Sequence, residues 1–231
     1  MIEKPGYAIG NQKIVKFFEH KGREYVRLED QVGWNLRDVL LTFHLARIAY
    51  FLFPDNIPYP RLIRKSNRKE GTYSIFAEYI PHDKDHEYIT KRRNENIGGS
   101  QYLKVDESNN LREMVRKFEE SESTRTLREK FKSSGLIGNL GGGYELIKQN
   151  VIIRGREPVF IDFVNPFSIN GEDEENATWI SRVDFVRIFD YCKSHSDESS
   201  KIKILAELRQ IYKWIPKRLK QNYSFMLNSR I

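Results

Sequence analysis

Gly143-Tyr144-Glu145-Leu146-Ile147-Lys148-Gln149-Asn150-Val151-Ile152-Ile153, followed by Val159-Phe160-Ile161-Asp162-Phe163, decides how this chain is read. The segment has the pattern of a loop, a short strand, a tight turn at Arg154-Gly155-Arg156, and a second strand that ends on an acid. Asn150 opens the hairpin and Asp162 closes it, so an amide and a carboxylate are expected at the same end of two paired strands. That donor pair suits a hard cation such as Mg²⁺, which takes oxygen ligands and keeps part of its water. Glu145 lies just upstream, where a carboxylate could orient a nucleophile. Gly141-Gly142-Gly143, directly before it, permits unusual backbone angles and close approach to a ligand, and equally suits a plain connector.

Outward from the hairpin, the N-terminal part predicts an antiparallel sheet with one helix. Lys13 to Glu19 and Arg23 to Glu29 are β-rich runs joined at His20-Lys21-Gly22. Leu36 to Phe53 has helical apolar spacing, with Asn35 as N-cap and Pro54 as terminator. Ile57-Pro58-Tyr59-Pro60-Arg61-Leu62-Ile63 is expected to be extended, because each proline disfavours helix in the residue before it. Thr72 to Ile80 reads as a strand stopped by Pro81. Lys91 to Asp106 is polar and reads as a loop or insertion. Asn109 to Lys132 is charged and helical, with a break near Ser121-Glu122-Ser123. Phe185 to Cys192 and Ile202 to Leu219 read as further helices, with Asp184 capping the first.

The hairpin region resembles the catalytic region of protein kinase-like phosphotransferases, the small-molecule and aminoglycoside phosphotransferase branch included. That superfamily carries a catalytic loop H-R-D-x-x-x-x-N, a hairpin, and then a metal-binding acid. Asn150 stands at the loop asparagine, and Asp162, in Ile161-Asp162-Phe163, at the metal-binding acid. Glu145 occupies the position of the catalytic-loop aspartate and Gly143 that of the histidine. The resemblance implies an α+β fold of two lobes: a small β-rich N-lobe over residues 1–81 and a mostly helical C-lobe over 82–231. It implies ATP as phosphoryl donor and Mg²⁺ held by Asn150 and Asp162. Glu145 would be the catalytic residue. Arg27, with Lys16 as the alternative cation, would steady the phosphates, and Asp38 would be the acid paired to that cation. Glu78 and Tyr79, in Phe76-Ala77-Glu78-Tyr79-Ile80-Pro81, would form the interlobe hinge that meets the adenine. A Glu in place of the Asp and the lack of a clear Gly-rich loop leave room for a degenerate member that binds a nucleotide or a protein without transferring phosphate.

Composition bounds the rest. The chain has 231 residues, 39% hydrophobic, 13% aromatic and 31% charged, the balance of a globular domain with a sizeable core. The most apolar stretch, Val39 to Phe53, is interrupted by His44 and Arg47, so no membrane span is expected. Met1-Ile2-Glu3-Lys4-Pro5 lacks the design of a signal peptide. A single cysteine, Cys192, excludes an internal disulfide framework. Together these give the expectation of a cytoplasmic protein.

The net charge of +7 is concentrated in clusters at Arg61 to Lys69, Lys91 to Arg93 and Lys213 to Lys220, against an acidic run at Glu172-Asp173-Glu174-Glu175. Such an excess suits an anionic acceptor. It also supports a separate reading as a nucleic-acid-binding protein, with basic and aromatic residues interleaved in Tyr212-Lys213-Trp214. His82 and His86, four apart with Asp83 and Asp85 between them, read as a solvated loop rather than a metal pair.

Overall fold

The computed structural model describes residues 2–9, 13–30, 35–67, 71–80, 86–88, 91–97, 100–106, 122–137, 151–154, 157–161, 165–170 and 178–228. The fold is α+β. Strands β1 (Ile2–Ile9), β2 (Lys13–His20) and β3 (Arg23–Asp30) are followed by helix α1 (Leu36–Leu52), then by β4 (Pro60–Asn67) and β5 (Thr72–Glu78). These five strands form one antiparallel sheet in the order β1-β2-β3-β5-β4. The β2–β3 hairpin turns through Lys21 and Gly22, both at positive φ (52° and 71°), the turn handedness that matches the twist of paired strands.

Asn35 caps α1 as the sequence predicts: its side chain accepts from the Asp38 N–H at 2.9 Å. The helix ends at Phe53, ahead of Pro54, whose ring cannot continue it. Val39, Leu41, Thr42, Phe43, Leu45, Ala46, Ile48 and Ala49 are all buried. A helix apolar on most of its circumference must be covered on more than one side. Here β4 and β5 cover one side and the long C-terminal helix α4 another.

After β5 come the short strand β6 (His86–Tyr88) and the strands β7 (Lys91–Ile97) and β8 (Ser100–Asp106), which form a hairpin where the composition suggests a loop. His86, read as loop, begins β6; His82 lies outside the described residues. Helix α2 (Glu122–Ser133) leads, beyond the described residues, to β9 (Val151–Arg154) and β10 (Glu157–Phe160). These pair antiparallel, and β6 joins the free edge of β9. A second hairpin, β11 (Phe167–Asn170) with β12 (Thr178–Ser181), precedes α3 (Phe185–His195), α4 (Glu198–Trp214), a three-ten helix (Lys217–Tyr223) and α5 (Phe225–Asn228).

The helix expected over Ile202 to Leu219 differs at both ends. Asp197 caps α4 earlier, accepting from the Ser200 N–H at 2.9 Å. Pro216 ends it earlier, because the residue before a proline is driven out of the helical region; Ile215 sits at φ −62°, ψ 135°. Asp184 caps α3 through the Arg187 N–H at 3.0 Å.

One buried cluster runs through the molecule. It takes Leu28, Ile75 and Ala77 from the sheet, most of α1, Leu127 and Phe131 of α2, Phe160 of β10, and apolar residues of α3, α4 and α5. Phe131 links Phe53, at 4.7 Å between ring centroids, to Phe160, at 5.3 Å and edge-on. Among the described residues no helix is long and apolar enough to cross a membrane.

Candidate functional site

The hairpin predicted from sequence is present, with Val151 opposite Phe160 and Arg154 opposite Glu157. The chain therefore enters β9 and leaves β10 side by side. Glu145, Asn150 and Asp162 themselves lie outside the described residues, as does Gly143. The described flanks of Asp162 are fixed at both ends. Ile161 packs with Val159 against Ile80, just past the end of β5. Three residues beyond Asp162, the Asn165 side chain donates from Nδ2 to Asp38 Oδ1 at 3.1 Å. Asn165 Oδ1 in turn accepts from the Phe167 N–H at 3.0 Å, which orients the amide.

Asp38 is thus a junction in the first turn of α1. Oδ2 accepts from Asn35 Nδ2 at 2.7 Å, and Oδ1 lies 3.7 Å from Arg37 Nε. The loop after α1 is also bound to the hairpin. Asn56 accepts the Phe160 N–H with its carbonyl at 2.8 Å and donates from Nδ2 to the Pro158 carbonyl at 2.8 Å. Both ends of the α1 region are therefore hydrogen-bonded to the segment that surrounds Asp162.

Lys16 and Arg27 are brought together, but on the other side of the sheet. They are register partners in β2 and β3. Strand side chains alternate between faces. Val26 and Leu28 pack into the core with α1, so Arg27 between them faces away from it. On that outer face Arg27 is ion-paired with Glu29 and donates from Nε to Ser74 Oγ at 3.1 Å. Lys16 Nζ lies 3.8 Å from the same Glu29 carboxylate. The Arg27 guanidinium stands 6.0 Å from the ring centroids of Phe18 and Phe76, and that of Arg64 stands 5.6 Å from Phe76. These planar cations cover two buried rings that α1 does not reach. The structure accordingly places Arg27 with Glu29 and Ser74, and Asp38 with Asn165. The expected Arg27–Asp38 pair gives way to the alternation of β3.

Glu78 and Tyr79 stand where β5 ends. The Glu78 N–H donates to the Tyr59 carbonyl at 3.0 Å, and the Tyr79 N–H to the Glu24 carbonyl at 3.4 Å. Both N–H groups are thus engaged by the flanking segments of the sheet, on the β4 side and the β3 side respectively. The Tyr79 ring meets Phe17 edge-on at 5.6 Å.

Sequence reasoning missed Asn165 and Glu29. Asn165 precedes Pro166 in a stretch that reads as an ordinary turn. Glu29 was legible only by parity: two residues from Arg27 on one strand, it shares its face. A third feature joins α1 to α4. His44 Nδ1 is 2.6 Å from Glu207 Oε2, and Arg47 Nε is 2.8 Å from Oε1, close in charge but not aligned as a hydrogen bond. Among the described residues no group of three or more His, Cys, Asp or Glu is arranged to hold a metal ion. No protein-family model matches the chain, and no curated protein matches it significantly.

Proposed function

We propose that this chain is a divergent kinase-like protein that binds a Mg²⁺-nucleotide between its five-stranded sheet and the β9–β10 hairpin, as an ATP-dependent phosphotransferase acting on a hydroxyl acceptor. One observation carries the reading. The chain runs three strands, a helix and two strands into a β1-β2-β3-β5-β4 sheet with α1 on one face, and the residues on either side of Asp162 are hydrogen-bonded to the two ends of the α1 region, β10 to Asn56 and Asn165 to Asp38. That is the arrangement expected of a small lobe and its metal-bearing hairpin. Asn150 and Asp162 would supply the amide and carboxylate oxygens for the metal, whose chemistry is to bridge and neutralise phosphate charge. Glu145 would accept or orient the acceptor hydroxyl. The basic surface would suit an anionic acceptor.

A second reading, nucleotide binding without transfer, has a specific observation in its favour. Arg27 and Lys16 lie on the sheet face opposite α1, whereas the flanks of Asp162 lie on the α1 side. The sheet stands between these two cations and Asn165, the described residue three positions past Asp162.

Thermal unfolding of the wild type and of Asp162→Ala, with ATP in the presence and absence of Mg²⁺, tests the shared premise. Nucleotide at a hundredfold excess over its Kd stabilises the folded state by about 2.7 kcal/mol, or roughly 5–10 °C for a chain of this size. A metal-dependent rise that vanishes in Asp162→Ala is expected; no rise in the wild type would refute both readings. Release of ADP in a single-turnover assay then separates transfer from binding alone.

A further inference from the structure

We infer that the exposed ridge formed by α4 and the following three-ten helix is a docking surface for the phosphate backbone of a nucleic acid. This rests on a different part of the molecule from the nucleotide reading and does not depend on it.

From Ser199 to Ile231 the sole acidic residue is Glu207. Its carboxylate is buried between α1 and α4 and held by His44 and Arg47, so it contributes little negative field outside. Lys203, Arg209, Lys213, Lys217 and Arg218 of the same segment are exposed, while Lys201 is paired with Glu198 at the start of α4, at 2.9 Å. Arg209 and Lys213 are one helical turn apart on the exposed side of α4, whereas Lys203 lies on the flank toward α1, 5.5 Å from the Phe51 ring centroid. Lys217 and Arg218 continue the line as exposed residues of the three-ten helix. Lys220 reaches back over the Tyr212 ring, 5.4 Å from its centroid, which joins the two elements into one surface. Exposed Gln221 and Asn222, with Gln210 hydrogen-bonded to Lys213 at 2.9 Å, add neutral donors and acceptors among the charges.

The alternative polyanion, an anionic membrane, fits less well. Interfacial helices insert an apolar face beneath the headgroups. The apolar face of α4, with Ile204, Leu205, Leu208 and Ile211, is already buried in the core. Ile202 and Leu227 are the large apolar side chains left exposed on this part of the described surface. Exposed cations with interleaved amides and few exposed apolar side chains match a phosphodiester backbone.

The test is fluorescence anisotropy of the full chain with a labelled single-stranded RNA and a DNA duplex, each about twenty nucleotides or base pairs long, across a salt series. Binding that weakens with salt is expected, with a log–log slope of about −3 to −4 on the single strand for about five phosphate contacts. The variant Lys213→Gln, Lys217→Gln, Arg218→Gln should lose about tenfold or more in affinity at low salt and flatten the slope by about 2. A control with the same charge loss at exposed positions elsewhere, Lys130→Gln, Lys132→Gln, Lys193→Gln, should keep most of the affinity. Matching circular dichroism melts establish that each variant folds, and a ridge variant that does not fold is replaced by the single changes, each expected to flatten the slope by about 0.7. The inference is overturned by no binding to either nucleic acid at low salt, by equal losses in ridge and control variants, or by binding to vesicles of phosphatidylcholine with about one third phosphatidylserine but to neither nucleic acid.

Discussion

At the scale of single residues, Glu207 is the group whose removal should be felt most. Its side chain is 8% exposed and lies against His44 at 2.6 Å and Arg47 at 2.8 Å. Deleting one member of a buried ionic group leaves the others unpaired in a poorly solvated place. Glu207→Ala is expected to lose about 3 kcal/mol in urea denaturation, while Glu207→Leu combined with His44→Leu should lose markedly less than the sum of the single changes. Asp197 gives a pH signature. The N–H of Ser200, and then its hydroxyl, hold the Asp197 carboxyl below the ordinary value of 3.8. A group depressed in the folded state contributes stability above its unfolded value and loses it as pH falls through the lower folded value. Acid titration of stability below about pH 4 should therefore be shallower in Asp197→Asn than in the wild type.

Elements differ in how far the sequence announces them. The end of α2 is a Schellman motif, in which the Gly135 N–H donates to Lys132 O at 3.2 Å and the Leu136 N–H to Phe131 O at 3.1 Å. Gly135 has φ 80°, and a Cβ there would meet Asp184 O at 2.4 Å. Gly22, in the β2–β3 turn, has φ 71° but open space around it. Gly22→Ala should thus cost about 1 kcal/mol, the backbone strain alone, and Gly135→Ala about 3 kcal/mol or more, as measured by thermal unfolding. Helix α1 was legible because Asn35 and Pro54 bracket an apolar run, and the two hairpins because short turns separate β-rich stretches. The end of α4 was obscured because apolar spacing continues through Pro216 to Leu219, although the proline itself carries the stop signal. The β7–β8 hairpin was obscured by its charged, poorly alternating strands. The outward face of Arg27 was legible in Val26-Arg27-Leu28, where apolar neighbours on either side mark the inward-facing positions of the strand. Asn165 was illegible, because its partner lies 127 positions away.

For the whole molecule, the two faces of the sheet carry different contacts, α1 and the core on one and the Arg27, Glu29 and Ser74 cluster on the other. Arg27→Met should weaken the protein by about 1–2 kcal/mol through loss of its bonds to Glu29 and Ser74, yet leave any Mg²⁺-ATP stabilisation intact. A loss of nucleotide response in a folded Arg27→Met protein would contradict the face assignment.

The burial of α1 on two sides has a mechanical consequence. Its sheet side is joined by apolar contact, whereas its other side is joined to α4 by apolar contact and by the Glu207 ion pairs, and the two ends of the α1 region are hydrogen-bonded to Asn165 and to β10. Apolar surfaces slide more readily than directional bonds stretch. Any closure of the sheet over a ligand would leave α1 behind as a stationary axle, with β1 to β5 rocking across it. Native-state hydrogen exchange should show this division: α1 amides opening together with those of α4, and the sheet amides exchanging as a separate, less protected unit.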